Sequence, residues 1–299
     1  MISWEISIQG FINFLKLERS LSANSINAYL NDIRKLREYL HAKKEHLRPT
    51  QVDIDHLKDF LHWTNELGMS PTSQSRVISG IKAFFKYLMI ENYIEKDPTE
   101  LLESPKVGRK LPEILTVEEI DRIIGAIDLS QPEGQRNKAI IETLYSCGLR
   151  VSELIHLRIS NLYFDKGFIR IIGKGNKERL TPVSQKAIKE IKLYMEDRNK
   201  LNIDKGCEDI LFLNRRGKQL TRVMVFLIIK KLAEKANITK NISPHTFRHS
   251  FASHLIEGGA DLRAIQEMLG HESITTTETY THLDRDYLRN TIIEHHPRS

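Results

Sequence analysis

The stretch Phe168-Ile169-Arg170-Ile171-Ile172-Gly173-Lys174-Gly175-Asn176-Lys177-Glu178-Arg179-Leu180-Thr181-Pro182-Val183 decides the fold class. A run rich in β-branched residues, a turn with two glycines and a returning run read as a β-hairpin with Lys174 at its mouth. Elsewhere the apolar residues recur mostly at helical spacing. The expected fold is therefore mainly α, with a small β-hairpin or sheet in the C-terminal domain.

Upstream, the first hundred residues carry four amphipathic patterns. Trp4, Ile8, Phe11, Ile12 and Leu15 share one helical face, and Ser20-Leu21-Ser22 breaks it. Ser22 has N-cap chemistry for a second helix through Ile26, Tyr29, Leu30, Ile33, Leu36 and Leu40, closed by Arg48-Pro49-Thr50. A third holds Ile54, Leu57, Phe60, Leu61 and Leu67 and stops at Gly68, a residue able to take the left-handed cap. Ser70-Pro71 opens a fourth, with proline at its first helical position. The reading is a four-helix N-terminal domain over 1–102, a linker over 103–112 carrying Gly108 and Arg109-Lys110, and a C-terminal domain over 113–299. Thr116-Val117-Glu118-Glu119 supplies the capping box that starts the second domain.

Composition restricts the function classes. The chain has 299 residues, a formal charge of +6 and 40% hydrophobic content, enough for two cores. Up to residue 110 there are 16 Lys+Arg against 14 Asp+Glu, and beyond it 29 against 25. A polyanion would thus be met by local basic clusters, not by a global field. Cys147 and Cys207 stand 60 positions apart with no CxxC, which fits a reducing cytosol. No stretch reaches the ~18 apolar residues of a membrane span, so a cytoplasmic protein with no membrane partner is expected.

The second half carries a spaced set of phosphate-handling side chains: Arg150, Lys174, His245, Arg248, His271 and Tyr280. Arg150 follows Gly148 at the start of a helical run, where unpaired backbone N–H groups and a guanidinium suit an anion; a salt bridge to Glu153 is the plain alternative. Ser243 and Pro244 start a helix that presents His245, Arg248 and His249 on one face and Phe247, Phe251 and Leu255 on another. His245 and His249 also have zincin spacing, yet Thr246 replaces the glutamate and no third ligand is evident, so no metal is expected. His271 follows Gly270 at the end of a short helix. Four threonines before Tyr280 disfavour stable helix, so that segment is expected to be short and easily displaced. Two arginines, a lysine, two histidines and a tyrosine suffice for metal-free attack on a phosphodiester.

Together, Gly148-Leu149-Arg150-Val151-Ser152-Glu153-Leu154, Gly173 to Arg179, His245-Thr246-Phe247-Arg248-His249, Leu269-Gly270-His271 and Tyr280-Thr281-His282 resemble the catalytic boxes of the tyrosine site-specific recombinases, the phage integrase family. The resemblance spans essentially the whole chain and is nearest the Xer branch. It implies an N-terminal core-binding domain, a C-terminal catalytic domain and no cofactor. It further implies that Tyr280 attacks a DNA phosphate, forms a 3′-phosphotyrosyl link and releases a 5′-hydroxyl that attacks the partner strand through a Holliday junction, resolving chromosome or plasmid dimers at cell division. Arg150, Arg248 and His271 would bind the non-bridging oxygens, His245 would take the phenol proton, and Lys174 would protonate the leaving oxygen. Glu153 would aim Arg150.

DNA contacts are expected from Arg76, Lys177, Arg179 and Arg222, with a solvated charged face as the alternative for each. The implied partners are a double-stranded recombination site, a second copy or a paralogous recombinase in a tetrameric synapse, and a DNA translocase activator. Residues 284–299, with Tyr287, Leu288, Ile292 and Ile293, are expected to form a helix exchanged with a neighbouring subunit. A mobile-element integrase, a type IB topoisomerase and a non-cleaving DNA-binding regulator are the competing readings.

Overall fold

The computed structural model describes all residues except 1, 44, 107, 109–112, 174–176, 271–281 and 299, and excludes the side chains of 282–286. Lys174, His271, Tyr280 and half of the expected linker therefore lie outside the described residues. The chain divides into two compact units, Met1–Lys110 and Leu111–Ser299.

Unit 1 holds α1 (Trp4–Leu17), α2 (Ala23–Ala42), α3 (Ile54–Glu66) and α4 (Pro71–Ile90). Local chemistry sets these limits. Ser22 and Ser70 accept hydrogen bonds from the backbone N–H groups of Ser25 and Ser73, and Gly68 adopts φ +77° beyond the end of α3. The apolar faces meet around Phe11, Ile33, Leu57, Phe60, Ile81 and Phe84, all buried. Arg76 on α4 binds Asp32 on α2 through Nη1 and Nη2 at 2.8 and 2.7 Å. Asp32 is buried, and Gly80 leaves it room, since a Cβ there would lie 2.6 Å from Asp32 Oδ2.

Unit 2 begins with α5 (Val117–Gly125), α6 (Gly134–Cys147) and α7 (Val151–Ile155). A three-stranded antiparallel sheet follows, β1 (Leu162–Tyr163), β2 (Phe168–Ile172) and β3 (Glu178–Pro182). The expected hairpin is β2–β3, with Ile172 opposite Glu178 and Phe168 opposite Pro182. The two-residue strand β1 pairs with Phe168 and Ile169 and is too short to leave a period-two pattern in sequence. Then come α8 (Gln185–Arg198), α9 (Arg222–Lys235), α10 (Pro244–Glu257), α11 (Leu262–Leu269) and α12 (His282–His295). The almost wholly buried α6 packs against α8 and α10, which makes it the central helix of this core. Among the described residues, no helix is long and apolar enough to cross a membrane.

In the single chain, the chain end lies on its own unit. Leu288 and Ile292, one helical turn apart on α12, are buried in the core of their own unit, where α12 packs on β3, α10 and α11. Tyr287 and Ile293 stay exposed. Beyond α12, Arg298 donates to Glu142 Oε1 at 2.5 Å and also bonds Asp121, while the His296 ring centroid lies 4.8 Å from that of Tyr145. Within one chain, then, β3, α10 and α11 cover the apolar face expected to dock on a neighbouring subunit. Amphipathic spacing shows that a face is buried without showing against what.

Candidate active site

Gly148 ends α6 in the left-handed conformation, φ +56°, and a Cβ there would fall 2.5 Å from Phe251 Cδ1. Both the turn and the close approach of α10 therefore require glycine. The reversal brings Arg150 to the N-cap of α7, where its backbone N–H donates to Glu153 Oε2 at 2.9 Å. Glu153 then holds two guanidinium groups. Its Oε1 accepts from Arg150 Nη1 and Arg179 Nη1, both at 2.9 Å, and its Oε2 accepts from Arg179 Nη2 at 2.8 Å.

The end of α11 supplies the remaining acceptors. Arg179 Nε donates to the Met268 carbonyl at 2.9 Å, and Arg248 Nη2 to the Leu269 carbonyl at 2.7 Å. Arg150 reaches the Leu269 and Gly270 carbonyls at 3.4 Å. Arg248 Nη1 donates to the Gly148 carbonyl at 2.8 Å. The last carbonyls of a helix lack intrahelical partners and carry the negative end of its dipole, so they suit cations. One carboxylate and one helix C-terminus thereby gather three arginines, two of which share the Leu269 oxygen.

Burial and mutual repulsion mark this cluster. The Arg248 guanidinium, 7% exposed, is pushed down to about 10 by burial and then by Arg150, with Glu153 opposing. Burial raises the Glu153 carboxyl, but hydrogen bonding and charge from Arg179, followed by Arg150, outweigh it and hold the group below its ordinary value. Arg150 is the most open of the three, its side chain 38% exposed, and can present donors to an anion. His245, in the first turn of α10, is exposed; desolvation on its protein side, then His249, Arg248 and Arg150, lower its pKa and favour the neutral imidazole.

Arg150, His245 and Arg248 thus belong to one region, and the described residues before Lys174 and His271 border it. A Cβ on Gly173 would lie 3.9 Å from Glu153 Oε1, and Gly270 is the residue whose carbonyl meets Arg150. Lys174, His271 and Tyr280 themselves are outside the described residues. Glu153 does meet Arg150, as anticipated, but its pairing with Arg179 escaped the sequence reading.

Arg179 requires correction as an expected DNA contact. It is 7% exposed, and its Nε, Nη1 and Nη2 all bind protein acceptors. Period two along β3, with buried Thr181 on the same face, carried that signal. Arg76 is likewise engaged, bracing α4 to α2 through Asp32, although its side chain is half exposed. Lys177 and Arg222 are exposed and have no ion pair among the described residues. Cys147 is wholly buried, and burial pushes its thiol up to about 12, consistent with packing.

Comparison with known proteins agrees with this geometry. Residues 113–286 match the model of the phage integrase family, and residues 8–92 match the phage integrase N-terminal SAM-like domain. The chain is 40% identical over 296 residues to tyrosine recombinase XerD of Staphylococcus aureus, covering 99% of this chain and all of that one. It is 41% identical over 293 residues to the protein of that name in Staphylococcus saprophyticus, covering 98% and 99%. Among solved structures, XerH site-specific recombinase bound to a palindromic difH substrate, a post-cleavage complex, superposes with a TM-score of 0.69 at 25% identity, covering 95% of this chain and 84% of that one.

Proposed function

The chain belongs to the phage integrase family and is a tyrosine recombinase, and from that premise we propose that it cuts and rejoins DNA at a specific site with Tyr280 as nucleophile. The observation that carries the reading is the convergence of Arg150 and Arg248 on the Leu269 carbonyl. Two guanidinium groups held together in advance suit the non-bridging oxygens of one phosphate, where charge accumulates in the pentacovalent transition state.

The Tyr280 phenol oxygen bonds to phosphorus, the bond from phosphorus to the 5′-oxygen breaks, and the chain is left as a 3′-phosphotyrosyl ester. The phenol proton passes to His245, whose lowered pKa leaves the ring neutral near pH 7 and ready to accept it. Lys174 delivers a proton to the departing 5′-oxygen, and His271 adds a hydrogen bond to the phosphate. In the second step a 5′-hydroxyl from the partner duplex attacks phosphorus, the bond to Tyr280 breaks and the phenol is restored. One phosphodiester replaces another, so the exchange is close to isoenergetic and needs no external energy source.

Similarity to proteins named XerD supports a role in resolving chromosome or plasmid dimers through a Holliday junction at cell division, within the cytoplasm. On this reading the partners are a double-stranded recombination site, further recombinase subunits in a tetrameric synapse and a DNA translocase that activates exchange. Lys177 and Arg222 remain the DNA contacts that the charge distribution favours.

A nicked suicide substrate tests the chemistry. The expected result is a covalent protein–DNA adduct that Tyr280→Phe abolishes without loss of DNA binding. An adduct that survives in Tyr280→Phe refutes the assignment of the nucleophile.

A further inference from the structure

Unit 1 carries a pocket and a projecting side chain that the cleavage chemistry leaves unused. The pocket, about 240 Å³, is lined by Phe14, Leu15, Leu21, Tyr29, Ala83 and Ile90, with Arg19 and Lys86 at the same site. A cavity of about 150 Å³ lined by apolar groups already holds a benzene ring, so this one has room for an isobutyl group. Arg19 and Lys86 are exposed and have no carboxylate partner among the described residues. The site therefore asks for an apolar side chain flanked by acids.

The same unit presents that chemistry elsewhere. Leu101 is 81% exposed, the highest value among the exposed large hydrophobic residues described. It stands between Glu100 and Glu103, both exposed and without a basic partner among the described residues. The turn that bears it is well fastened. Asp97 accepts from the Thr99 backbone N–H at 2.8 Å and from its hydroxyl at 2.7 Å, while Leu102 N–H donates to the Thr99 carbonyl at 3.0 Å. Leu102 itself is buried in the unit 1 core. Leu101 is thus held out into solvent by an ordered support, so little conformational freedom remains to be lost on docking.

We propose that Leu101 of one copy docks in the Phe14–Ile90 pocket of a second copy, with Glu100 and Glu103 facing Arg19 and Lys86. Knob and pocket are built from different residues, so the contact is compatible with a head-to-tail arrangement in which a ring closes. Its small area makes it a contact that acts mainly when DNA brings copies close together, through effective concentration. DNA phosphate is the competing occupant of the two cations. The apolar lining favours the leucine, because a phosphate gains nothing from Phe14, Leu15 or Ala83. The inference does not rest on the cleavage chemistry.

Disulfide trapping between full-length copies tests the contact. On a Cys207→Ser background, a Leu101→Cys copy is mixed with an Ala83→Cys copy under mild oxidation; Leu67→Cys, exposed in the same unit, replaces Leu101→Cys as the collisional control. Trapping through position 101, where the cysteine is itself a small apolar group, is expected to exceed the control by roughly fivefold or more, as burial of one small apolar anchor beside two charge pairs implies. Adding Arg19→Glu and Lys86→Glu to the Ala83→Cys copy should remove that excess. Adding Glu100→Lys and Glu103→Lys to the other copy should then restore it. Trapping at the control rate overturns the proposal. So does an excess that ignores both charge reversals. Loss of DNA affinity in Arg19→Glu/Lys86→Glu, with trapping at the control rate, assigns those cations to phosphate instead.

Discussion

Replacing Glu153 by glutamine keeps its volume and one acceptor oxygen but removes the carboxylate that Arg150 and Arg179 share. The Glu153 side chain is 3% exposed and that of Arg179 is 7%, so the pair is desolvated. Breaking one partner of such a pair costs about 3–5 kcal/mol, because an uncompensated charge stays behind. The Arg248 guanidinium is pushed to about 10 by burial and then by Arg150, with Glu153 opposing, so deleting that carboxylate also leaves Arg248 less favourably placed. Unit 2 spans Leu111–Ser299, a size at which each kcal/mol moves the melting temperature by about 2–4 °C. Glu153→Gln should therefore lower the melting transition of that unit by roughly 6–20 °C. Calorimetry reads the shift, and a double-mutant cycle with Arg179→Gln should show coupling of about 2 kcal/mol or more. Below the variant's transition, strand cleavage should fall by roughly tenfold to a hundredfold, as expected for a mispositioned Arg150. A melting shift under about 2 °C with coupling under about 0.5 kcal/mol would mean that Glu153 does not hold the arginines, and the reasoning fails.

Gly148→Ala places a Cβ 2.5 Å from Phe251 Cδ1 at a residue with φ +56°; the expected loss is about 1–3 kcal/mol by urea unfolding, with a slower cleavage step, and an unchanged midpoint contradicts it. The single-turnover cleavage rate should rise with pH to a plateau whose inflection lies below 6.5, since only neutral His245 accepts a proton and its pKa is lowered; an inflection above 6.5 removes His245 from that role. Burial pushes the His296 imidazole down to about 3 from 6.5, so its neutral form is the native one. Packing of the chain end is then fully favourable above pH 6.5 and weakens as pH falls toward about 3, losing about 1.4 kcal/mol by pH 5.5, one unit below the unfolded value. Amide exchange in α12 should accelerate about tenfold between pH 7.5 and 5.5 after correction for intrinsic rates, and no such change in wild type sinks the assignment.

What the sequence made legible was local. Ser22, Ser70-Pro71, the Thr116 capping box, Gly148 and Gly270 mark real helix ends, because cap chemistry acts over three or four residues. The buried stripe Phe247, Phe251 and Leu255 followed from spacing alone. The misreadings concern partners distant in sequence. Arg179 reads as a basic residue on a hairpin until Glu153, 26 positions earlier, and Met268, 89 positions later, are brought to it. Arg298 binds Glu142 across 156 positions, a pairing that no local pattern announces. The apolar face of α12 was visible; that β3, α10 and α11 cover it was not.

The gathering of cations is itself the chemical argument for the site. Three guanidinium groups within reach of one carboxylate repel one another, and the depressed Arg248 value records its burial first and then that repulsion, chiefly from Arg150. A chain selected for stability alone would gain by replacing them with apolar residues of similar size. Here the arrangement is kept by Glu153 and by the carbonyls that end α11, so the unfavourable assembly of charge is completed during folding. On the proposed function, a phosphate approaching Arg150 and Arg248 would meet guanidinium groups already held in place, and its negative charge would relieve the repulsion between them. Since the transition state carries more charge on its non-bridging oxygens than the bound diester, that relief is greatest at the top of the barrier, which is the condition for catalysis rather than for tight binding.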